Sequence, residues 1–219
     1  MRVGILGSGL MGGKLGTLFA RSGHEVVFSY ARSEDKLNRL AQEAGGKARA
    51  GTVREAAESA DALLFAVHWL RTDDVLKQAG DLSGKVIVTC SLPMDEGNTG
   101  LVIGLKTSGA EELAKKVPKA RVVCAFSTVP SEVFFDVYEA RQGKNGPSLV
   151  YCGDDAASKK VTAGLISDVG FEPVDAGPLR IARYTEPLGL LIGQLAYEGK
   201  EGPEVAYRFE RFGNEGRHV

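Results

Sequence analysis

The chain predicts a doubly wound α/β fold: a mostly parallel sheet covered by helices on both faces, with a small helical extension at its C-terminal end. Three observations predict it. Short continuous apolar runs recur along the 219 residues, helix-forming stretches separate them, and a Gly-x-Gly-x-x-Gly turn follows directly on the first run.

That first run is Val3 to Leu6, and the turn is Gly7-Ser8-Gly9-Leu10-Met11-Gly12. The first glycine of such a turn permits a tight strand-to-helix reversal, the second lets backbone approach a pyrophosphate, and the third lets the helix pack close to the sheet. The unpaired N–H groups opening the next helix then face the phosphates. That helix is predicted over Gly13 to Arg21, closed by Ser22-Gly23, and a second strand over Glu25 to Ser29. Strand, turn, helix and strand make one Rossmann-like βαβ unit. Gly7, Ser8, Gly9, Leu10, Met11 and Gly12 are therefore assigned to a dinucleotide.

An acidic residue at the end of the second strand would hold the ribose 2′-hydroxyl of NAD. Here the chain reads Ser29-Tyr30-Ala31-Arg32-Ser33, with Lys36 one turn later. A carboxylate would repel a 2′-phosphate, whereas Arg32, a serine hydroxyl and Lys36 bind one through charge-assisted hydrogen bonds. NADP(H) is thus expected, with Ser29, Tyr30, Arg32, Ser33 and Lys36 at its phosphate end. Ser33 followed by Glu34 and Asp35 also reads as a helix start.

The alternation continues downstream. Asp35 to Ala44 is predicted as a helix with Leu37, Leu40 and Ala41 on one face, Lys47 to Ala50 as a short third strand, Thr52 to Ser59 as a helix capped by Thr52, and Asp61 to Val67 as an apolar strand. Leu70 to Ala79 reads as helix, Lys85 to Ser91 as buried strand, Ser108 to Val117 as a helix ending before Pro118, and Arg121 to Ser127 as a sixth strand. Beyond the exposed loop Gly143-Lys144-Asn145-Gly146-Pro147 come a strand Ser148 to Cys152, a helix Ala156 to Val169 and a strand Glu172 to Asp175. Leu188 to Ala196 is apolar almost all round, which predicts a helix buried on all sides or packed against a partner chain, hence a homodimer. Pro187 cannot bond the Arg183 carbonyl, so a kink is expected there. Arg180, Arg183 and Tyr184 share a face, suited to an acidic ligand, a subunit contact or a pairing of Arg183 with Glu186.

A chain of this length supports one sizeable core. Residues 1–147 are expected to bind the dinucleotide, and 148–219 to extend the sheet and end in the helical segment, packed as one unit. A net charge of −1 and a pI of 6.3 argue against nucleic acid or an anionic membrane surface as partner. Cys90, Cys124 and Cys152 each fall within a predicted strand, as expected of reduced, buried thiols in the cytoplasm. His24, His68 and His218 are scattered, so no metal site is expected. The apolar run behind Arg2 is broken by glycines and ended by Lys14, unlike a secretion signal. No apolar stretch approaches the roughly 20 residues that span a bilayer.

In an open parallel sheet the ligand lies beyond the carboxyl ends of the strands. The turns there read Ala66-Val67-His68-Trp69, Ser91-Leu92-Pro93 and Ser127-Thr128-Val129-Pro130, and they are expected to surround the nicotinamide. Ala66, Val67, His68, Trp69, Ser91 and Pro93 are assigned to the cofactor, Trp69 as a wall or as plain packing. His68 and Ser127 are the candidate catalytic groups, His68 because an imidazole can hold or give a proton near neutral pH. No catalytic dyad stands out.

Arg2 to Gly12, Gly23-His24-Glu25, Ser29 to Lys36, Cys152-Gly153-Asp154-Asp155, Ser158-Lys159-Lys160-Val161, Asp175-Ala176-Gly177-Pro178-Leu179 and Glu204 to Phe209 together resemble NADPH-dependent reductases of coenzyme F420. The cytosolic reductase domain of the membrane ferric reductases called STEAP proteins is similar too. The resemblance implies hydride exchange between NADP(H) and a deazaflavin (F420) or flavin-like ring stacked on the nicotinamide. It implies Ser29, Arg32 and Lys36 at the 2′-phosphate, and Ala66 to Trp69 beside the nicotinamide. Cofactors carry such chemistry while the protein supplies proximity and orientation. Three positions depart from the family pattern. His68 stands where proline is common, Ser127 where archaeal members have histidine and bacterial ones often asparagine, and Leu92 where bacterial relatives often carry asparagine. A small-molecule redox acceptor is the expected partner. The alternatives are reduction of a free flavin, a ferric complex or a small imine, and non-enzymatic NADPH sensing.

Overall fold

In the computed structural model, which describes residues 1–143 and 146–212, each apolar run becomes a strand. These are β1 (Arg2–Leu6), β2 (Glu25–Ser29), β3 (Lys47–Ala50), β4 (Ala62–Phe65), β5 (Val86–Thr89), β6 (Arg121–Cys124), β7 (Ser148–Gly153) and β8 (Glu172–Asp175). They form one sheet in the order β3-β2-β1-β4-β5-β6-β7-β8. The first six strands run parallel, β7 lies antiparallel to β6 with Cys124 opposite Cys152, and β8 is parallel to β7. The sheet is thus the mostly parallel, doubly wound one expected.

The helices are α1 (Leu10–Arg21), α2 (Glu34–Ala44), α3 (Val53–Ser59), α4 (Thr72–Ala79), α5 (Gly109–Lys116), α6 (Phe134–Glu139), α7 (Ala156–Asp168) and α8 (Ala182–Tyr197). Successive strand residues point to opposite faces, so the sheet buries a core on each side. On one, Val3, Ile5 and Leu64 pack with Leu15 and Phe19 of α1, Leu37 of α2, Phe134 of α6 and Leu165 of α7. On the other, Leu6, Leu63 and Phe65 pack with Val53 of α3, Val75 of α4, Leu113 of α5 and Ala182 of α8. Several helix starts follow from local side-chain chemistry. Ser33 accepts the Lys36 N–H, Ser108 the Glu111 N–H and Asp155 the Ser158 N–H, while Thr52 and Glu55 form a reciprocal capping box.

Some elements depart from expectation, and the departures cluster at the carboxyl end of the sheet. β4, β5 and β6 stop at Phe65, Thr89 and Cys124 although the apolar runs go on, which leaves Cys90 just past its strand. The residues beyond stay buried in the turns instead. A 3-10 turn over Trp69–Arg71 precedes α4, and α6, for which the sequence offered no signal, is too short for a periodic pattern. α8 runs as one helix through Pro187. It is not buried all round: Gly189, Ile192 and Ala196 face inward, while Tyr184, Leu191 and Leu195 are exposed. Lys144 and Asn145 of the expected loop, and His218, lie outside the described residues. Among the described residues no helix is long and apolar enough to cross a membrane.

Candidate active site

The strand order reverses between β1 and β4, which opens a crevice at their carboxyl ends. The glycine turn occupies it. Gly7 has φ of +108°, and a Cβ there would collide with the Ala66 carbonyl, so only glycine fits. A Cβ at Gly12 would collide with the Gly7 carbonyl, while one at Gly9 would meet nothing within 4 Å. Gly9 and Leu10 are exposed, and no side chain caps α1. Its first N–H groups, lacking intrahelical acceptors, open onto free space, which is the cradle a pyrophosphate requires.

The hydroxyls around this turn have other tasks. Ser8 is fully buried; its N–H donates to the Tyr30 carbonyl at 3.0 Å and its Oγ to the Ser29 carbonyl at 2.8 Å. Ser29 is equally buried, its Oγ donating to the Ile5 carbonyl at 2.7 Å. Both side chains stitch the turn to β2, and each hydroxyl proton is committed to a backbone carbonyl, including that of Ser29, which was expected at a 2′-phosphate. Tyr30, at φ +54°, donates its hydroxyl to Asp74 Oδ2 at 2.6 Å; burial and that carboxylate push its pKa to about 12. Ser33 Oγ accepts the Lys36 N–H at 3.3 Å. Arg32 is exposed and Lys36 half-exposed, and among the described residues neither forms an ion pair. Of the 2′-phosphate candidates, these two cations and the exposed Ser33 hydroxyl, whose proton is uncommitted, have side chains open to a ligand.

A cavity of about 860 Å³ continues from Gly9, Leu10 and Met11 toward α8. Its walls include Ala66, Val67 and His68 after β4, Cys90, Ser91 and Leu92 after β5, and Ser127 after β6. The His68 Nδ1 accepts the Leu70 N–H at 3.3 Å, which leaves the ring proton on Nε2, directed at Asn98 Oδ1 3.1 Å away. Ser91 Oγ donates to the Val67 carbonyl at 2.7 Å and so ties two of the turns together. Ser127 follows Phe126, a buried residue at φ +64°. That conformation is costly for a non-glycine residue. Edge-to-face contacts of the Phe126 ring with Phe19 and Phe134, at 6.2 and 6.3 Å, hold it. Tyr207 fastens the same turn, its hydroxyl 2.7 Å from Thr128 Oγ1 and accepting the Val150 N–H at 3.2 Å.

Trp69 and Pro93, expected at the nicotinamide, do not line this cavity. Trp69 opens the 3-10 turn, and Pro93 packs on the start of α5, where its ring lies 3.0 Å from any Cβ at Gly109. The sequence reading missed Met94, Asn98 and Thr99 of the long loop before α5, and the whole α8 wall with Leu190, Gln194, Tyr197 and Glu198. A signal for α8 was present in Gly189 and Gly193, one turn apart in an apolar helix. A Cβ at Gly189 would collide with the Ser127 carbonyl, so the helix backbone rests directly on that turn; Gly193 faces open space.

α8 is held there from its first turns. Arg183 donates to both carboxylate oxygens of Glu111, at 2.9 and 2.7 Å, rather than to Glu186. Glu186, 1% exposed, accepts the Gly109 and Ala110 N–H groups at 2.8 and 2.9 Å at the start of α5. Burial pushes its carboxyl up to about 7, against the pull of those two donors. The three cysteines are free and buried, and burial drives the Cys90 thiol to about 12, unlike a reactive nucleophile. Among the described residues no group of His, Cys, Asp and Glu could hold a metal ion.

Fold and glycine turn place the chain in the class of doubly wound dinucleotide-binding folds. More narrowly, residues 2–93 match the family described as NADP oxidoreductase, coenzyme F420-dependent. The chain is 29% identical over 192 residues to rat metalloreductase STEAP3, a match covering 87% of this chain; it spans only 37% of that relative's length. A solved structure from Arthrobacter sp. FB24, named for F420-dependent NADP reduction, superposes with a TM-score of 0.82 at 21% identity, covering 95% of this chain and 99% of that one. The reductive aminase of Aspergillus terreus, solved with NADPH4, cyclohexanone and allyl amine, is similar with a TM-score of 0.63 at 22% identity, covering 88% of this chain and 60% of that one. At these identities the structural likenesses establish the fold.

Proposed function

We propose that this chain transfers a hydride between NADP(H) and a flat acceptor, a deazaflavin or flavin-like ring, held in the cavity between the glycine turn and α8. The observation that supports it most is continuity. An uncapped helix start suited to a pyrophosphate opens directly into an 860 Å³ space with predominantly apolar walls, large enough for two stacked rings. Arg32 and Lys36 supply the charge that selects the 2′-phosphate. Bound there, the nicotinamide supplies the hydride, and the chain's own residues orient it. Met11, Leu92 and Ile192 exclude water, Ser91 braces two turns, and His68 holds a proton at Nε2 at the cavity edge. The single-family match over residues 2–93 agrees with this reading.

On the outer face of α8, Tyr184, Leu188, Leu191 and Leu195 recur at spacings of four, three and four, the stripe that packs helix against helix. A second copy of the chain is the proposed occupant. Three free thiols suit a reducing compartment such as the cytoplasm.

The test follows NADPH absorbance with riboflavin, FMN, FAD, F420 and ferric complexes in turn. Consumption with a ring acceptor, and far less with NADH, is expected. Tight NADPH binding with no turnover on any acceptor would overturn the catalytic reading and leave a sensor.

A further inference from the structure

The charge around the cavity is one-sided. Among the described residues no lysine or arginine lines it, and Glu198 is the acidic residue of its lining, at the α8 end. A second carboxylate lies just behind that wall. The hydroxyl of Tyr197, a residue of the lining, donates to Glu132 Oε2 at 2.9 Å, and Ser131 Oγ donates to the same oxygen at 3.3 Å. Lys14 of α1 reaches this side, but its ammonium donates to the Ser131 carbonyl and hydroxyl, at 3.0 and 3.2 Å. The features that attract anions, the uncapped start of α1 with Arg32 and Lys36, belong to the nucleotide end.

We infer that the acceptor held against α8 is a flat ring compound without an anionic tail, uncharged or cationic at the end that meets Tyr197 and Glu198. This rests on the hydride-transfer reading, because it takes the Gly9 end of the cavity for the nicotinamide. A phosphate or carboxylate substituent at the α8 end would meet Glu198 and Glu132 without a cation in the wall. The phosphates of the bound nucleotide would add to that repulsion. An uncharged flavin ring fits this lining better than F420, whose tail is anionic.

The experiment compares two ligands with the same ring. Protein is first titrated with NADPH; a chain that does not bind it refutes the hydride-transfer reading, and this inference with it. The NADP⁺-loaded protein is then titrated with riboflavin and with FMN by flavin fluorescence. Riboflavin is expected to bind more tightly, by roughly five- to tenfold at low salt, with the gap closing as salt screens the carboxylates. Glu198→Lys should shrink or reverse the ratio while NADPH affinity stays the same. FMN binding as tightly as riboflavin, no binding of riboflavin, or an unchanged ratio in Glu198→Lys each overturns the inference while leaving NADPH binding intact.

Discussion

Arg32 and Ser29 stand three residues apart at the end of β2, yet the first is exposed and the second is fully buried. Arg32→Ala should weaken NADPH by roughly ten- to hundredfold, the worth of a charged hydrogen bond, and leave NADH almost unchanged. Equal losses for the two nucleotides would remove Arg32 from the 2′-phosphate. Ser29→Ala should instead lower the melting temperature, because the buried Ile5 carbonyl loses a donor worth about 1 kcal/mol. Its NADPH-to-NADH affinity ratio should match that of the parent. Residue types at the end of β2 announced the cofactor, but the direction of each hydroxyl depends on the left-handed turn at Tyr30. No local pattern in the sequence marks that turn, since its support comes from Asp74 on α4.

Among the elements, α8 carries the clearest titration. The Glu186 carboxyl, ordinarily near 4.5, is raised to about 7 in the fold. A raised acid favours the folded state when protonated, so its contribution is fully present below the unfolded value and is lost as pH climbs through about 7. The loss is on the order of 3 kcal/mol. Melting curves across this range should therefore fall for the parent and flatten for Glu186→Gln, whatever the variant's absolute stability; parallel slopes would assign the pH dependence elsewhere. Helix starts such as Ser33, Thr52 and Ser108 were legible because a cap is a contact between near neighbours in sequence. The ends of β4, β5 and β6 were not, because apolar residues leaving a sheet for a buried turn look the same as residues staying in it. Contacts between distant segments, Glu186 on α5 and Gly189 on the Ser127 turn, were likewise invisible.

At the scale of the whole molecule, the exposed apolar stripe of α8 is the surface on which the proposed dimer rests. Leu191→Lys places a charge at its centre and should convert a dimer to monomers in sedimentation, with the fold retained, since Leu191 is 55% exposed in one copy. A parent chain that sediments as a monomer would refute the dimer. The inner face of the same helix touches the cavity, so dissociation should also weaken acceptor binding more than NADPH binding.

The cavity joins α1 to α8, with Gly9 to Met11 on one side and Gly189 to Glu198 on the other. Chain growth from the ribosome therefore separates its two halves in time. The nucleotide end is built from β1, α1 and β2 together with β4 and the Asp74 contact from α4, all earlier in the sequence than α8. The opposite wall, on α8, is made last of these parts, so during synthesis the nucleotide side precedes the side that faces it.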